Sequence, residues 1–187
     1  MRPDLTLDLG NGLYLRALFP DDAALLVEAT SGEAAPSLWG PRPAGPYSLP
    51  DACAALAAWD PAAGGQFSLG VLDGEQLLGA VGLMPDDQPG SAELAYWIRP
   101  EQRGRSIASR AVQAITLWAH RSLAIPRIWL EIDPGNEPSL RVAQRAGYHF
   151  DQRLPRHCRD WATEDAGDDS WHDCLLWAHV EPRSHRS

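Results

Sequence analysis

A strand-to-helix junction at residues 103–108 constrains the fold more than any other part of the chain. A strand-like run, Ala92–Ile98, precedes it, and a long amphipathic segment begins at Ile107. The first N–H groups of a helix lack intrahelical partners and carry partial positive charge, so phosphate groups bind at such junctions. Arg103 and Arg105 can add charge-assisted hydrogen bonds to an anion. The pattern predicts a site for a phosphate-bearing cofactor.

The rest of the chain alternates between strand-like and helical periodicity. The dipeptide Asp73-Gly74, with alternating residues on both sides, is typical of a hairpin. The predicted strands are Leu13–Leu18, Gln66–Leu72, Gln76–Met84, Ala92–Ile98, Arg127–Ile132, Tyr148–Leu154 and Trp171–Val180. The predicted helices are Ala23–Ala29, Pro50–Trp59, Ile107–Ser122 and Pro138–Ala146. This order predicts a mixed α/β (α+β) fold, with a mostly antiparallel twisted sheet of six to seven strands flanked by about four helices.

Length and charge limit the kind of protein that this chain can be. At 187 residues and 44% hydrophobic, we expect one domain with a core over about 12–181 and a frayed tail at 182–187. The formal net charge of −9 argues against nucleic-acid binding, which needs a basic face. No run approaches the roughly 20 apolar residues of a membrane span, so no membrane partner is expected.

Cysteine and histidine usage adds a second set of exclusions. The start of the chain lacks the apolar segment of a signal peptide. Cys53, Cys158 and Cys174 are far apart in sequence and show no metal-ligand spacing, and the six histidines form no ligand pattern. We therefore expect no disulfide framework, no metal, and a reduced, cytoplasmic protein.

Four segments in order carry a family resemblance: Ala92–Ile98, Arg103–Ala108, Asn136–Ser139 and Ala146–Tyr148. Together they resemble the GNAT superfamily of acyl-CoA-dependent N-acyltransferases, in particular its ribosomal-protein N-terminal acetyltransferase branch. The resemblance runs from about Leu13 to Trp177. It implies the GNAT fold, acetyl-CoA as cofactor, and direct acetyl transfer in a ternary complex to a primary amine, either a protein N-terminus or a small molecule. The alternative is a non-catalytic acyl-CoA-binding module of the same fold.

The resemblance also implies which residues contact the cofactor. The loop would hold the pyrophosphate of coenzyme A, and the backbone of the preceding strand and the start of the next helix would contact the pantetheine arm. One position departs from the family pattern, because Ser106 stands where a glycine is usual; if its φ is positive, the strain is about 1 kcal/mol. The implied cofactor contacts are Tyr96, Trp97, Ile98, Arg103, Gly104, Arg105, Ser106, Ile107, Ala108, Asn136 and Ser139.

Acetyl transfer requires a base, because a primary amine is mostly protonated at neutral pH. The resemblance implies Glu93 as the candidate base, directly or through water, because the family often has a carboxylate on this strand beside the cofactor cleft. Strand alternation allows this role, since it puts Glu93 on the face of Trp97, opposite Leu94 and Tyr96. The alternative is a solvated strand glutamate. Ser139 is the candidate proton or hydrogen-bond donor to the departing thiolate; the alternative is ordinary helix capping by Ser139 and Asn136, with which cofactor contact is compatible.

Residues in irregular segments are candidates for the acceptor pocket. Trp39, Tyr47 and Trp161 could form an aromatic wall for a cationic amine, or could simply pack under long loops. Asp151 could be a second carboxylate near the amine, or an ordinary surface residue. Members of the branch often pair, and an exposed tryptophan-rich surface would be consistent with a homodimer.

Overall fold

The computed structural model describes residues 5–31, 46–58, 67–159 and 171–181, and these form one sheet with helices on both faces. The strand order is β1-β2-β3-β4-β5-β6-β8-β7, and the neighbouring strands are antiparallel except β5 and β6. The strands are β1 Thr6–Gly10, β2 Leu13–Ala17, β3 Phe67–Asp73, β4 Gln76–Pro85, β5 Ser91–Ile98, β6 Arg127–Ile132, β7 His149–Arg159 and β8 Trp171–Val180. The helices are α1 Ala23–Thr30, α2 Leu49–Ala58, α3 Ile107–Ser122 and α4 Glu137–Arg145. The predicted mixed, mostly antiparallel fold is confirmed.

The sheet has eight strands among the described residues, one more than the prediction allowed. The additional strand is β1, which pairs with β2 through a turn in which Gly10, Asn11 and Gly12 all have positive φ. The alternation in residues 6–9 followed by Gly10-Asn11-Gly12 is a hairpin signal, and the prediction missed it. The predicted tail at 182–187 lies outside the described residues.

Each face of the sheet buries its own apolar cluster. On one face, α3 and α4 cover Leu94, Ile128 and Leu130, and Val112 and Ile115 of α3 are fully buried there. On the other face, α1 and α2 pack on side chains that include Leu72, Leu77 and Trp97. Each fully buried leucine or isoleucine contributes about 1.5–3 kcal/mol. Strand β5 is therefore fixed from both sides, which makes it a rigid support for a site.

The two C-terminal strands form an antiparallel hairpin that brings distant residues together. Cys158 and Cys174 are 16 residues apart in sequence, and in the structure a disulfide joins them with a Cα–Cα distance of 5.8 Å. The expectation of separate, reduced cysteines is wrong for this pair. The strand register places Cys158 opposite His172, and Cys174 lies two residues further along β8, within reach of Cys158. Cys53, on α2, is free.

Among the helices that the structure describes, none has both the length and the apolar character needed to cross a membrane.

Candidate active site

The loop between β5 and α3 has the backbone shape of an anion site. Gly104 has φ +78° and Ser106, the N-cap of α3, has φ +58°. Ser106 therefore does adopt the left-handed conformation that favours glycine, at a cost of about 1 kcal/mol. The first N–H groups of the 16-residue helix α3 are left for a ligand, and the helix dipole favours negative charge there.

A cavity of about 560 Å³ extends from this loop along the end of β5 to α4. Ten of the eleven cofactor residues implied by the resemblance line it. The exception is Arg105, which is exposed and donates a hydrogen bond to the Gln102 side chain. The ten are Tyr96, Trp97, Ile98, Arg103, Gly104, Ser106, Ile107, Ala108, Asn136 and Ser139.

Other residues of the cavity wall were missed by sequence reasoning. Arg141 and Arg145 of α4 line the cavity together with Arg103, so three arginines surround it. Arg141 also forms an ion pair with Glu137, with 3.2 Å between Nη1 and Oε2. The spacing of four between Arg141 and Arg145 puts them on one helix face, which was the available signal. The remaining wall residues are Gln102, Ser109, Pro138 and Val142.

The sheet opens beside this cavity. Strands β5 and β6 pair in parallel only over Ser91–Glu93, opposite Arg127–Trp129. The Arg99 N–H donates to the Leu78 carbonyl on β4. Successive N–H groups of a strand point to alternate sides, so the N–H groups of Leu94, Tyr96 and Ile98 point away from β4. On that side β6 diverges from β5. The Ile98 carbonyl on that side accepts from Arg103 Nε at 3.0 Å. An extended ligand could pair with the remaining groups as an added strand.

A hydroxyl pair bridges β5 and α4 at the cavity wall. Tyr96 Oη and Ser139 Oγ are 2.7 Å apart, and either hydroxyl can donate. Asn136 caps α4, because its Oδ1 accepts from the Ser139 N–H at 3.2 Å. Helix capping therefore uses the Asn136 side chain and the Ser139 backbone N–H, while the Ser139 hydroxyl forms its hydrogen bond with Tyr96. Burial raises the pKa of Tyr96, which keeps its hydroxyl protonated.

Glu93 lies on the opposite face of β5 from Leu94, as the alternation predicts, and it is half-buried. Burial, followed by the charges of Glu131 and Asp86, raises the pKa of Glu93 from 4.5 to about 7. A carboxylate with a pKa near neutral pH is suited to proton transfer. Glu93 does not line the cavity, so Glu93 and the Tyr96–Ser139 hydroxyl pair lie on different faces of β5.

The acceptor candidates are dispersed. Tyr47 is half-buried and packs against the cluster that contains Trp97, where burial raises its pKa. Asp151 is exposed and forms an ion pair with Arg127, with 2.7 Å between Oδ2 and Nη2. Trp39 and Trp161 lie outside the described residues.

The split sheet, the loop before α3 and the arginine-lined cavity together offer room and hydrogen-bond donors for an extended, phosphate-bearing ligand along β5. The chain belongs to the acetyltransferase (GNAT) domain family, whose sequence profile matches residues 12–149. Enzymes of this family use acetyl-CoA, so the predicted family, enzyme class and cofactor are confirmed at this level.

Individual relatives agree with the family. An uncharacterized N-acetyltransferase, p20 of Bacillus licheniformis, is 32% identical over 78 residues, which span 41% of this chain and 44% of that protein. Less than half of that relative's length is therefore matched.

Solved structures share the fold. The ribosomal-protein-S5-alanine acetyltransferase of Vibrio fischeri has a TM-score of 0.80 at 17% identity, covering 96% of this chain and 98% of that chain. RimJ of Mycobacterium smegmatis, solved in complex with a CoA disulfide, has a TM-score of 0.73 at 20% identity, covering 94% of this chain and 85% of that chain.

Proposed function

We propose that this chain, as one acetyltransferase domain, transfers the acetyl group of acetyl-CoA to a primary amine by direct attack in a ternary complex. One observation carries the proposal. The cavity joins the phosphate loop to the Tyr96–Ser139 hydroxyl pair on β5, and the opposite face of the same strand holds Glu93. Donor binding, thiolate protonation and amine deprotonation can then occur along one rigid strand.

The cofactor would bind with its pyrophosphate at the start of α3. Backbone N–H groups after Ser106 and the guanidinium of Arg103 would donate to the phosphate oxygens. The pantetheine arm would run along the open side of β5 and pair with the backbone of Tyr96 and Ile98. One N–H on that side would donate to the thioester oxygen as it gains negative charge.

Glu93 would remove the proton from the incoming amine, directly or through one water. An α-amino group has a pKa of about 8 and a lysine amine about 10.4, so a base is needed at neutral pH. With a pKa of about 7, Glu93 is ionised in part of the molecules at pH 7 and still basic enough to accept a proton. The free amine would then be able to attack the thioester carbon of bound acetyl-CoA.

Acetyl transfer to the amine would break the C–S bond and release coenzyme A as a thiolate. An alkyl thiol has a pKa of about 8.5, so a hydrogen-bond donor assists its departure. The Ser139 hydroxyl would supply the proton and recover one from Tyr96 at 2.7 Å. The second proton that the attacking nitrogen loses as the amide forms would pass through solvent to Tyr96 and restore its hydroxyl. Cys53, Cys158 and Cys174 all lie in the described part of the chain and none of them lines the cavity, which favours direct transfer over an acyl-enzyme.

For the acceptor, we propose a protein N-terminal amine first and a small amine second. The first choice rests on the names of proteins with the same fold, the ribosomal-protein acetyltransferase among them. A homodimer stays a prediction, which analytical ultracentrifugation would test.

The function is tested in two stages. Titration calorimetry with acetyl-CoA should show binding by the wild type, and absence of binding would contradict the proposal. Thiol release is then measured with a panel of peptide N-terminal amines and small amines. Release that depends on one acceptor supports the transferase, whereas binding without release across the panel would favour a non-catalytic acyl-CoA-binding module.

Ser139→Ala tests the hydroxyl pair. If Ser139 protonates the thiolate, this variant should lose turnover and keep its affinity for acetyl-CoA, and Ser109→Ala on the same cavity wall serves as a matched control. An unchanged rate in Ser139→Ala would mean that the Ser139 hydroxyl does not take part in the reaction and that Ser139 serves only in the capped first turn of α4.

A further inference from the structure

A second cluster of chemically reactive side chains lies on the β7–β8 hairpin, outside the cavity. Cys158, His172 and Cys174 each offer one ligand atom, and these three atoms lie within 4.8 Å of one another. The hairpin register explains the convergence, because Cys158 is paired with His172, and Cys174 follows two residues later on the same face of β8. Two sulfurs and one imidazole nitrogen are a ligand set that zinc prefers.

The histidine of this cluster is already oriented by a carboxylate. His172 Nε2 is 3.0 Å from Asp133 Oδ2 at the end of β6. Donation of the Nε2 proton to Asp133 leaves Nδ1 as the ring nitrogen with a free lone pair. Metal-binding histidines commonly donate their second ring N–H to a carboxylate, which fixes the tautomer and raises the basicity of the ligand nitrogen.

A further carboxylate lies next to the sulfurs. Glu131 Oε2 is 3.5 Å from Cys158 Sγ, and Glu131 Oε1 is 2.9 Å from His157 Nε2. Glu131 is therefore held by His157 beside Cys158, but it does not belong to the group of three converging ligand atoms. Cys174 is buried, while Cys158 and His172 are half-buried, so an ion could reach the cluster from one side.

We propose that Cys158, His172 and Cys174 bind Zn²⁺, with a water molecule as the fourth ligand, when the Cys158–Cys174 disulfide is reduced. A dithiol reductant breaks the S–S bond, gives two protein thiols and is itself oxidised to a cyclic disulfide. Zinc then displaces one proton from each thiol and takes both thiolates as ligands. The disulfide and the zinc site are mutually exclusive, because the same sulfur atoms form both.

The test is cobalt and zinc titration of the full chain, reduced with a phosphine that does not compete for metal as a dithiol would. Reduced wild type should bind one Co²⁺ per chain, with the sulfur-to-cobalt charge-transfer absorption of thiolate ligands, and Zn²⁺ should displace it. The oxidised protein should show neither signal. Absence of charge-transfer absorption in the reduced wild type would overturn the proposal, and this readout needs no variant to fold.

Variants assign the ligands. Cys158→Ser and Cys174→Ser should lose the absorption, and His172→Gln should weaken zinc binding in competition with a chromophoric chelator. Asp133→Asn should weaken it by about tenfold or more, the usual effect of removing a carboxylate that orients a ligand histidine. Cys53→Ser and His149→Gln, which change residues outside the cluster, are matched controls. Zinc binding that survives Cys174→Ser, or that is lost in Cys53→Ser, would overturn the assignment.

Discussion

Replacing Glu93 with glutamine should stabilise the protein at alkaline pH while it removes the proposed base. Folding raises the pKa of Glu93 from 4.5 to about 7, which corresponds to about 3 kcal/mol at about 1.4 kcal/mol per unit. The folded carboxyl group holds its proton more tightly than the unfolded one. Its contribution to the free energy of unfolding is therefore fully present below pH 4.5 and is lost as the pH rises towards 7.

Glutamine cannot ionise, so Glu93→Gln escapes this loss. As the pH rises from 5 to 8, the free energy of unfolding of the variant should increase by about 2–3 kcal/mol relative to that of wild type. Urea unfolding followed by fluorescence measures it, since the chain contains eight tryptophans. Glu75→Gln, at an exposed position in the β3–β4 turn, controls for the loss of a carboxylate. A difference between Glu93→Gln and wild type that is the same at both pH values would refute the reasoning.

Three further variants test the loop and the strand. Ser106→Gly should raise the free energy of unfolding by about 1 kcal/mol, because the residue has φ +58°, and should keep its affinity for coenzyme A; a destabilised variant would contradict the strain argument. Arg103→Gln should raise the Kd for coenzyme A by about tenfold and make it less sensitive to salt, and calorimetry that finds an unchanged Kd would remove Arg103 from the site. Gly79→Ala should cost about 1–3 kcal/mol in urea unfolding, because a Cβ there would lie 2.2 Å from the carbonyl oxygen of Trp97; a stability equal to wild type would mean that β4 and β5 can shift apart.

The elements that were predictable from sequence are those with local signals. The β3–β4 hairpin follows from Asp73-Gly74, and Gly74 has the positive φ that this turn requires. Helix α3 follows from apolar residues three and four apart, of which Ile107, Ala111 and Ile115 are buried. Strand β1 also has a local signal, the alternation before Gly10-Asn11-Gly12, and the prediction missed it because the strand is only five residues long and begins near the start of the chain.

The candidate site likewise has features that follow from local sequence rules and features that do not. The side of β5 on which Glu93 lies follows from strand alternation, a local rule. The Tyr96–Ser139 hydrogen bond joins residues 43 apart in sequence, and the Cys158–Cys174 pair depends on how β7 and β8 align. No local pattern encodes such distances. The raised pKa of Glu93 likewise depends on burial and on Glu131 from another strand.

The central claim, direct acetyl transfer along β5, is tested most directly by intact-mass spectrometry of enzyme and acceptor together. Wild type mixed with acetyl-CoA alone should carry no acetyl group, and adding the acceptor amine should give one released coenzyme A per acetylated amine. Glu93→Gln should slow this by about 10²–10⁴-fold, the usual contribution of a general base, with an unchanged Kd for acetyl-CoA. An acetylated enzyme in the absence of amine, or a Glu93→Gln variant as fast as wild type, would contradict the mechanism.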